Sequence, residues 1–329
     1  MNSPILIGLA TGTVAAILFA SITAQTTLAF ILFYLTPLPL FLAGLGWGVT
    51  AALIAALIGG GLVGAVLGNT PALVFTLFVG LPPIVLCRLA MQSRLAPMQP
   101  AGEAAAQPSI EWYPPGRLIG WAALLGGAMT AVAILALGPG EDAYKATIRG
   151  FFEQQQFRDL IARQTQLSPE QLDRLIELFA SFLLPAFAAI LWLAITLFNI
   201  WAAGKIVLFS GRLQRPWPTF SDMTYPNFVI FGMPAAIALS FAPGMAGILA
   251  TCFVGAFSVA YLLLGLIVIR VLTNGLSAQP LLMAAVYIAI LLLGWAALIV
   301  IAIGIAEPLF NLRRNWGTPP AASGPSPNE

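Results

Sequence analysis

Histidine is absent from this chain, and with it the commonest general base and the commonest metal ligand. Charge is almost as scarce. Asp, Glu, Lys and Arg make up 8% of the residues, against about a quarter in soluble domains. A water-facing surface cannot be built from so few charges. The net charge of +2 comes with no basic stripe that could neutralise a run of phosphates, which excludes a nucleic-acid partner. The two cysteines, Cys87 and Cys252, each sit inside an apolar run. They form neither a disulfide framework nor a closely spaced metal-ligand set, and read as small buried hydrophobes. No phosphate-binding Gly-rich loop, nucleophile elbow or HExxH helix is present. Glu111, Glu141, Asp142, Asp173 and Glu177 supply carboxylates without a spacing that singles out an acid–base pair. The sequence therefore predicts no enzyme activity, no metal and no cofactor.

What the chain does contain is apolar length. Hydrophobic residues are 60% of the total and the mean hydropathy is +0.94. About twenty apolar residues cross a bilayer as a helix, and unsatisfied backbone groups exclude irregular structure in lipid. The runs are continuous rather than alternating, which argues against a β-barrel. The sequence predicts an all-α polytopic membrane protein of eight or nine transmembrane helices. The candidate spans are Ile5–Ile22, Thr26–Leu42, Trp47–Leu67, Ala72–Met91, Leu118–Leu137, Leu178–Ala203, Phe228–Ala242, Gly247–Ile269 and Leu281–Ala306. The first lacks a basic leader and reads as a retained helix, not a cleaved signal.

Composition divides the chain into an N-terminal four-helix group (1–92), a polar linker (93–117), a C-terminal membrane group (118–312) and a disordered tail (313–329). Within the third part, residues 141–170 read as an external amphipathic segment, with Tyr144, Ile148, Phe151, Phe152, Phe157, Leu160 and Ile161 on one face. A new helix follows. Ser168 is placed as its cap, Pro169 at its first position and Gln171 to close a capping box, with Leu167 and Leu172 as a hydrophobic staple.

Orientation follows the basic residues. Arg88, Arg94 and Arg117 flank the linker, and Lys205, Arg212 and Arg215 share a later loop. Both are expected in the cytoplasm of a bacterial cell, in its inner membrane, with the N-terminus inside. The end of the chain is ambiguous. Nine crossings put Arg313 and Arg314 outside; eight, with a re-entrant Phe228–Ala242, put them inside.

Two sets of residues are candidates for function. Polar turns on the predicted outer side, Gln25, Thr26 and Thr27 with Asn69 and Thr70, are placed to floor a small-molecule pocket under the amphipathic helix as a lid; ordinary turn chemistry is the plainer reading. Asn199, inside the sixth span, is the clearest intramembrane polar side chain and joins them as a substrate-binding candidate. The stripe Gly8, Gly12, Ala16 and Ala20 allows close helix approach, either within the protein or against a partner membrane protein. Arg215 and Trp217 are candidates for partner docking in the loop. Beyond lipid, the expected partner is therefore another membrane protein.

Three stretches carry a resemblance. "LTPLPLFLAGLGWG" (35–48), "NIWAAGKIVLFSGRLQRPWPTFSDMTYP" (199–226) and "GIAEPLFNLRRN" (304–315) resemble the YybS-like family of predicted bacterial membrane proteins, although Glu307-Pro308 stands where that pattern suggests an aspartate. The helical core of that family is similar to the substrate-binding subunits of energy-coupling-factor vitamin transporters. The resemblance implies uptake of a small molecule bound near the outer face, with the Gly8–Ala20 stripe as docking face. The alternative is a non-transporting membrane scaffold or assembly factor.

Overall fold

In the computed structural model, which describes residues 3–95, 110–152 and 168–316, the chain is an all-α membrane protein. Its helices are α1 (Pro4–Ala20), α2 (Thr27–Tyr34), α3 (Pro37–Trp47), α4 (Val49–Leu67), α5 (Asn69–Val74), α6 (Leu81–Ala90), α7 (Pro115–Leu137) and α8 (Glu141–Phe152). They continue as α9 (Pro169–Leu178), α10 (Leu184–Phe209), α11 (Asn227–Ser240), α12 (Met245–Leu272), α13 (Gln279–Leu293), α14 (Ala296–Phe310) and α15 (Leu312–Trp316). Among the described residues, seven apolar stretches are long enough to cross a membrane, and α11, α13 and α14 are shorter apolar helices.

Proline shapes several of these elements. Pro37 and Pro39 cannot donate to the helix ladder, and the predicted span from Thr26 breaks at Leu35–Thr36 into α2 and α3. Residues Phe75–Gly80 and Phe179–Leu183 form π-helical turns that link α5 to α6 and α9 to α10. Each runs into proline: Pro82 and Pro83 in one case, Pro185 in the other. The Leu81 N–H bonds to the Thr76 carbonyl and the Leu184 N–H to that of Phe179. The wider turn makes room where a proline ring would strike a carbonyl four residues back.

Packing inside the molecule rests on small residues. Gly8 and Gly12 lie against Ala51, Ile54 and Ala55 of α4. Gly265 of α12 and Gly304 of α14 meet backbone to backbone: a Cβ on the first would fall on the Val300 carbonyl oxygen, and one on the second on that of Tyr261. One buried cluster (Ala15, Phe19, Leu40, Ala55, Val63, Phe75) belongs to the N-terminal group. The larger cluster draws Phe41, Leu45, Leu86 and Cys87 together with residues of α7, α10, α11 and α12. The two sequence halves are thus fused through α3 and α6.

The chain ends can be followed by contact. Arg212 stacks on Trp47, at the end of α3. Arg215 donates to the carbonyls of Ala90 (2.8 Å) and Tyr113 (3.4 Å). Arg313 donates to the carbonyls of Ser221 and Met223. These contacts bring the ends of α3, α6, α10 and α14 and the starts of α7 and α11 to one end of the molecule. Arg88, Arg94, Arg117, Lys205, Arg270 and Arg314 complete a set of nine basic side chains there, against Glu111, Asp222 and Glu307 among the described residues. At the opposite end Lys145, Arg149 and Arg174 face five acids: Glu141, Asp142, Glu170, Asp173 and Glu177.

The last helices differ from expectation. Residues 281–306 are not one span. Gly294, at φ 50, ends α13, and α14 starts two residues on. Gln279 Nε2 donates to the Arg270 carbonyl (2.9 Å), so α13 starts at the basic end, and Arg313 shows that α14 finishes there. Each helix has 15 residues and rises about 22 Å, short of the ~30 Å hydrocarbon layer. The chain through the short α11, by contrast, runs from Met223, held by Arg313 at the basic end, to Gly244, which lies beside the Glu141 carboxylate at the acidic end. The short predicted span therefore joins the two ends, and the doubling-back lies in α13–α14. The start of α1, packed through Gly8 against Ala51 near the start of α4, and helix α15 both fall at the basic end.

In the polar linker Ser93–Leu95 pairs antiparallel with Ile110–Trp112, and Arg94 meets Glu111 at 2.7 Å on the exposed surface. The tail begins with the short helix α15. Its residues 317–329, the linker residues 96–109 and residues 153–167, which include Phe157, Leu160, Ile161 and Leu167, lie outside the described residues. The predicted capping box is present, with Ser168 Oγ accepting from Gln171 N and Gln171 Oε1 from Ser168 N.

Candidate functional site

At the acidic end the N-terminal helices leave a cleft of about 420 Å³. Phe19 from the last turn of α1, Ile22 and Thr23 from the 3-10 turn after it, and Phe33 from α2 form one side. Leu67 at the end of α4 and Thr70, Pro71 and Val74 of α5 form the other. Phe19 and Phe33 stand 5.3 Å apart, and Phe19 meets Phe75 edge-on at 5.4 Å. Phe75 begins the π-helical turn, so the irregular stretch of the α5–α6 span directly underlies the cleft wall.

The local sequence explains the shape. Ser21 Oγ contacts the carbonyls of Leu18 (2.6 Å) and Ala29 (3.0 Å), pinning the start of α2 to the end of α1. Gln25 adopts φ 52 to reverse the chain, and Thr26 Oγ1 accepts from Ala29 N at 3.2 Å to cap α2. On the other wall Gly68, at φ 93–95 with Gly48 the pair of left-handed glycines that bracket α4, turns the chain into α5.

The predicted residues part company here. Thr70 lines the cleft. Asn69 sits beside it, exposed at the start of α5, and Gln25, Thr26 and Thr27 build the turn rather than the lining. Asn199 does not join them. It is fully buried in α10, and its Nδ2 donates to the carbonyls of Tyr34 (3.0 Å) and Ile195 (2.8 Å), while Oδ1 has no partner. It takes up the Tyr34 carbonyl freed where α2 breaks. The described part of the amphipathic segment, α8, packs on α7, α9 and the Phe179–Leu183 turn, held by Tyr144, whose hydroxyl donates to the Ala180 carbonyl at 2.8 Å; the rest of the segment expected as a lid lies outside the described residues. No described residue of α8 lines the cleft.

The docking candidates are also placed. Gly8, Gly12 and Ala16 are buried, and the two glycines face α4, so that side of α1 is occupied within the chain; Ala20 is partly exposed. Arg215 is buried beneath the loop, where burial lowers its pKa from the ordinary guanidinium range. Trp217 covers Gly204 and carries Lys205 Nζ 4.0 Å from its ring centre.

Chemically the cleft offers a mainly apolar surface and two hydroxyls. Thr23 Oγ1 donates to Ala20 O (2.8 Å), and the Thr70 hydroxyl makes no hydrogen bond among the described residues. No group of three or more His, Cys, Asp or Glu side chains is assembled for a metal among the described residues. Phe19, Ile22, Thr23, Phe33, Leu67, Pro71 and Val74 carried no signal in the sequence, because an apolar residue lining a cleft and one facing lipid have the same composition. Compared with protein-family models, with characterised proteins and with solved structures, the chain matches none.

Proposed function

We propose that this multi-pass membrane protein binds a small, largely apolar molecule in the cleft between α1, α2 and α5, and that it serves uptake of that molecule across a bacterial inner membrane. The cleft carries the reading. Its volume falls within the range of small-molecule sites, about 300–1,000 Å³, and a mostly apolar wall with a few placed polar groups is their usual make-up. The basic end faces the cytoplasm under the positive-inside rule, which directs the cleft to the outer side. The resemblance to YybS-like proteins, and through them to transporter substrate-binding subunits, supports the same reading.

The test is to purify the protein from its native membrane into nanodiscs and identify retained small molecules by mass spectrometry. A parallel sample carries Val74→Trp, which fills the cleft from a lipid-exposed α5 position. The expected result is a compound enriched in the parent protein and depleted at least tenfold in the variant. Equal recovery from both would remove the cleft from the mechanism.

A further inference from the structure

We infer that the seam between the ends of α3 and α10 binds the phosphate of an anionic phospholipid headgroup. The seam is built by Gly46 against Val207, and by Leu45 and Trp217 against Gly204. Two cations are mounted on it. Lys205 Nζ lies 4.0 Å from the centre of the Trp217 ring, and the Arg212 guanidinium 4.9 Å from that of Trp47. Neither forms an ion pair: the salt bridges among the described residues are Arg94–Glu111, Glu141–Lys145–Glu177 and Glu307–Arg313. A cation held over an indole face keeps its N–H donors for an acceptor on its other side.

The Trp47 indole that carries Arg212 keeps its own N–H enclosed in the protein, so its π face, and not that donor, is what the ring offers to the cation at this seam.

The surroundings select a lipid as the source of the acceptor. Ile206 (48%) and Phe209 (86%) on the last turns of α10 are exposed, so apolar surface for acyl chains adjoins the two cations. Tryptophan at the headgroup level is the ordinary interfacial residue. The whole end carries nine basic and three acidic described side chains, which matches the anionic cytoplasmic leaflet.

The test uses the delipidated full-length protein in detergent. Binding of phosphatidylglycerol, phosphatidylcholine and inorganic phosphate is titrated by native mass spectrometry and by Trp fluorescence. The parent is compared with Lys205→Gln, Arg212→Gln and the double variant, with Arg94→Gln as an exposed basic control on the same end. At about fivefold per basic side chain, the double variant is expected to lose about twenty-five-fold in phosphatidylglycerol affinity, with phosphatidylcholine binding unchanged. Arg94→Gln is expected to retain parental affinity. Thermal melts of each variant separate loss of binding from loss of fold, and a double variant that melts early is replaced by the two singles, each expected to lose about fivefold. Parental phosphatidylglycerol affinity in folded variants would overturn the inference. So would tight binding of inorganic phosphate that displaces the lipid, because it would make the site one for a free anion.

Discussion

The contact between Glu307 and Arg313 fixes where α14 ends, and its removal has a calculable cost. Arg313 Nε donates to Glu307 Oε1 at 2.7 Å and its terminal nitrogens bind the Ser221 and Met223 carbonyls. The side chains are 12% and 7% exposed, respectively, so neither charge is left to water. Arg313→Ala strands the Glu307 carboxylate with one backbone donor, Arg313 N at 3.2 Å. Breaking a buried pair from one side costs about 3–5 kcal/mol. Glu307→Gln removes the charge but leaves the guanidinium its two carbonyls, and is expected to cost about 1–2 kcal/mol. In the double variant no charge is stranded. Its loss should fall below the sum of the singles, with a coupling of about 2 kcal/mol. Equilibrium unfolding in SDS–detergent mixtures, followed by Trp fluorescence, measures all four corners of the cycle. Strict additivity, or an Arg313→Ala protein within about 0.5 kcal/mol of the parent, would show that the network does not hold the C-terminal helices to the 211–226 loop.

The remaining expectations follow from single contacts. A reporter active only in the periplasm, fused after Trp316, should be silent, as should one ahead of α1, because the start of α1 and helix α15 lie with the basic cluster; activity after Trp316 alone would mean that α13–α14 crosses. Gly304→Leu should destabilise by more than about 2 kcal/mol, since its Cβ has no room against Tyr261, whereas Leu298→Ala, on an exposed face of the same helix, should stay within about 1 kcal/mol. Asn199→Leu, which strips the Tyr34 carbonyl of its donor, should cost about 1–3 kcal/mol and leave ligand recovery from the cleft unchanged. Lys145 is raised above its ordinary 10.5 by its hydrogen bond to Glu141, with burial opposing and Glu177 assisting. Its folded pKa exceeds the unfolded one, so its contribution is complete below the unfolded value and is lost as pH rises through the folded one; amide exchange in α8 should differ between parent and Lys145→Gln at pH 8 and converge once the pH has passed the folded pKa.

How far the sequence reveals this molecule depends on which force is at work. Transfer into lipid depends on composition, and composition is local, so apolar runs such as 49–67 and 245–272 are readable residue by residue. The capping box at Ser168–Gln171 is likewise a short-range device and is readable for the same reason. The break at Gly294 is not. Residues 281–306 are uniformly apolar, and one glycine in a long run ordinarily reads as a tolerated weak point. Only the attachment of α13 at Arg270 and of α14 at Ser221 and Met223, contacts distant in sequence, shows that the run doubles back. The basic residues gave a clue that charge and helix count could not reconcile: Arg313 and Arg314 belong with Arg212 and Arg215, but through an extra turn and not through a shortened α11.

The same distinction separates apolar packing from polar contacts. Lipid-facing helices gain nothing from hydrophobic pressure against one another, so association relies on close backbone approach, as at Gly12–Ala55 and Gly265–Val300. Small residues spaced by four therefore signal an interface without naming its partner, and the stripe on α1 faces α4 by geometry that its spacing alone does not contain. Polar side chains behave differently, because each one in or near the membrane needs a specific acceptor or donor. Asn199, Arg215 and Arg313 each reach a carbonyl on a distant segment, and all three lie away from the cleft. Polar contacts between distant segments fasten both ends, through Arg215 and Arg313 at one and Tyr144 and Lys145 at the other, and the cleft, with two threonine hydroxyls in an apolar wall, is where space remains. The proposed binding function places its ligand where the chain has left room and has not already committed its hydrogen bonds, which is why ligand recovery should respond to Val74→Trp and not to Asn199→Leu.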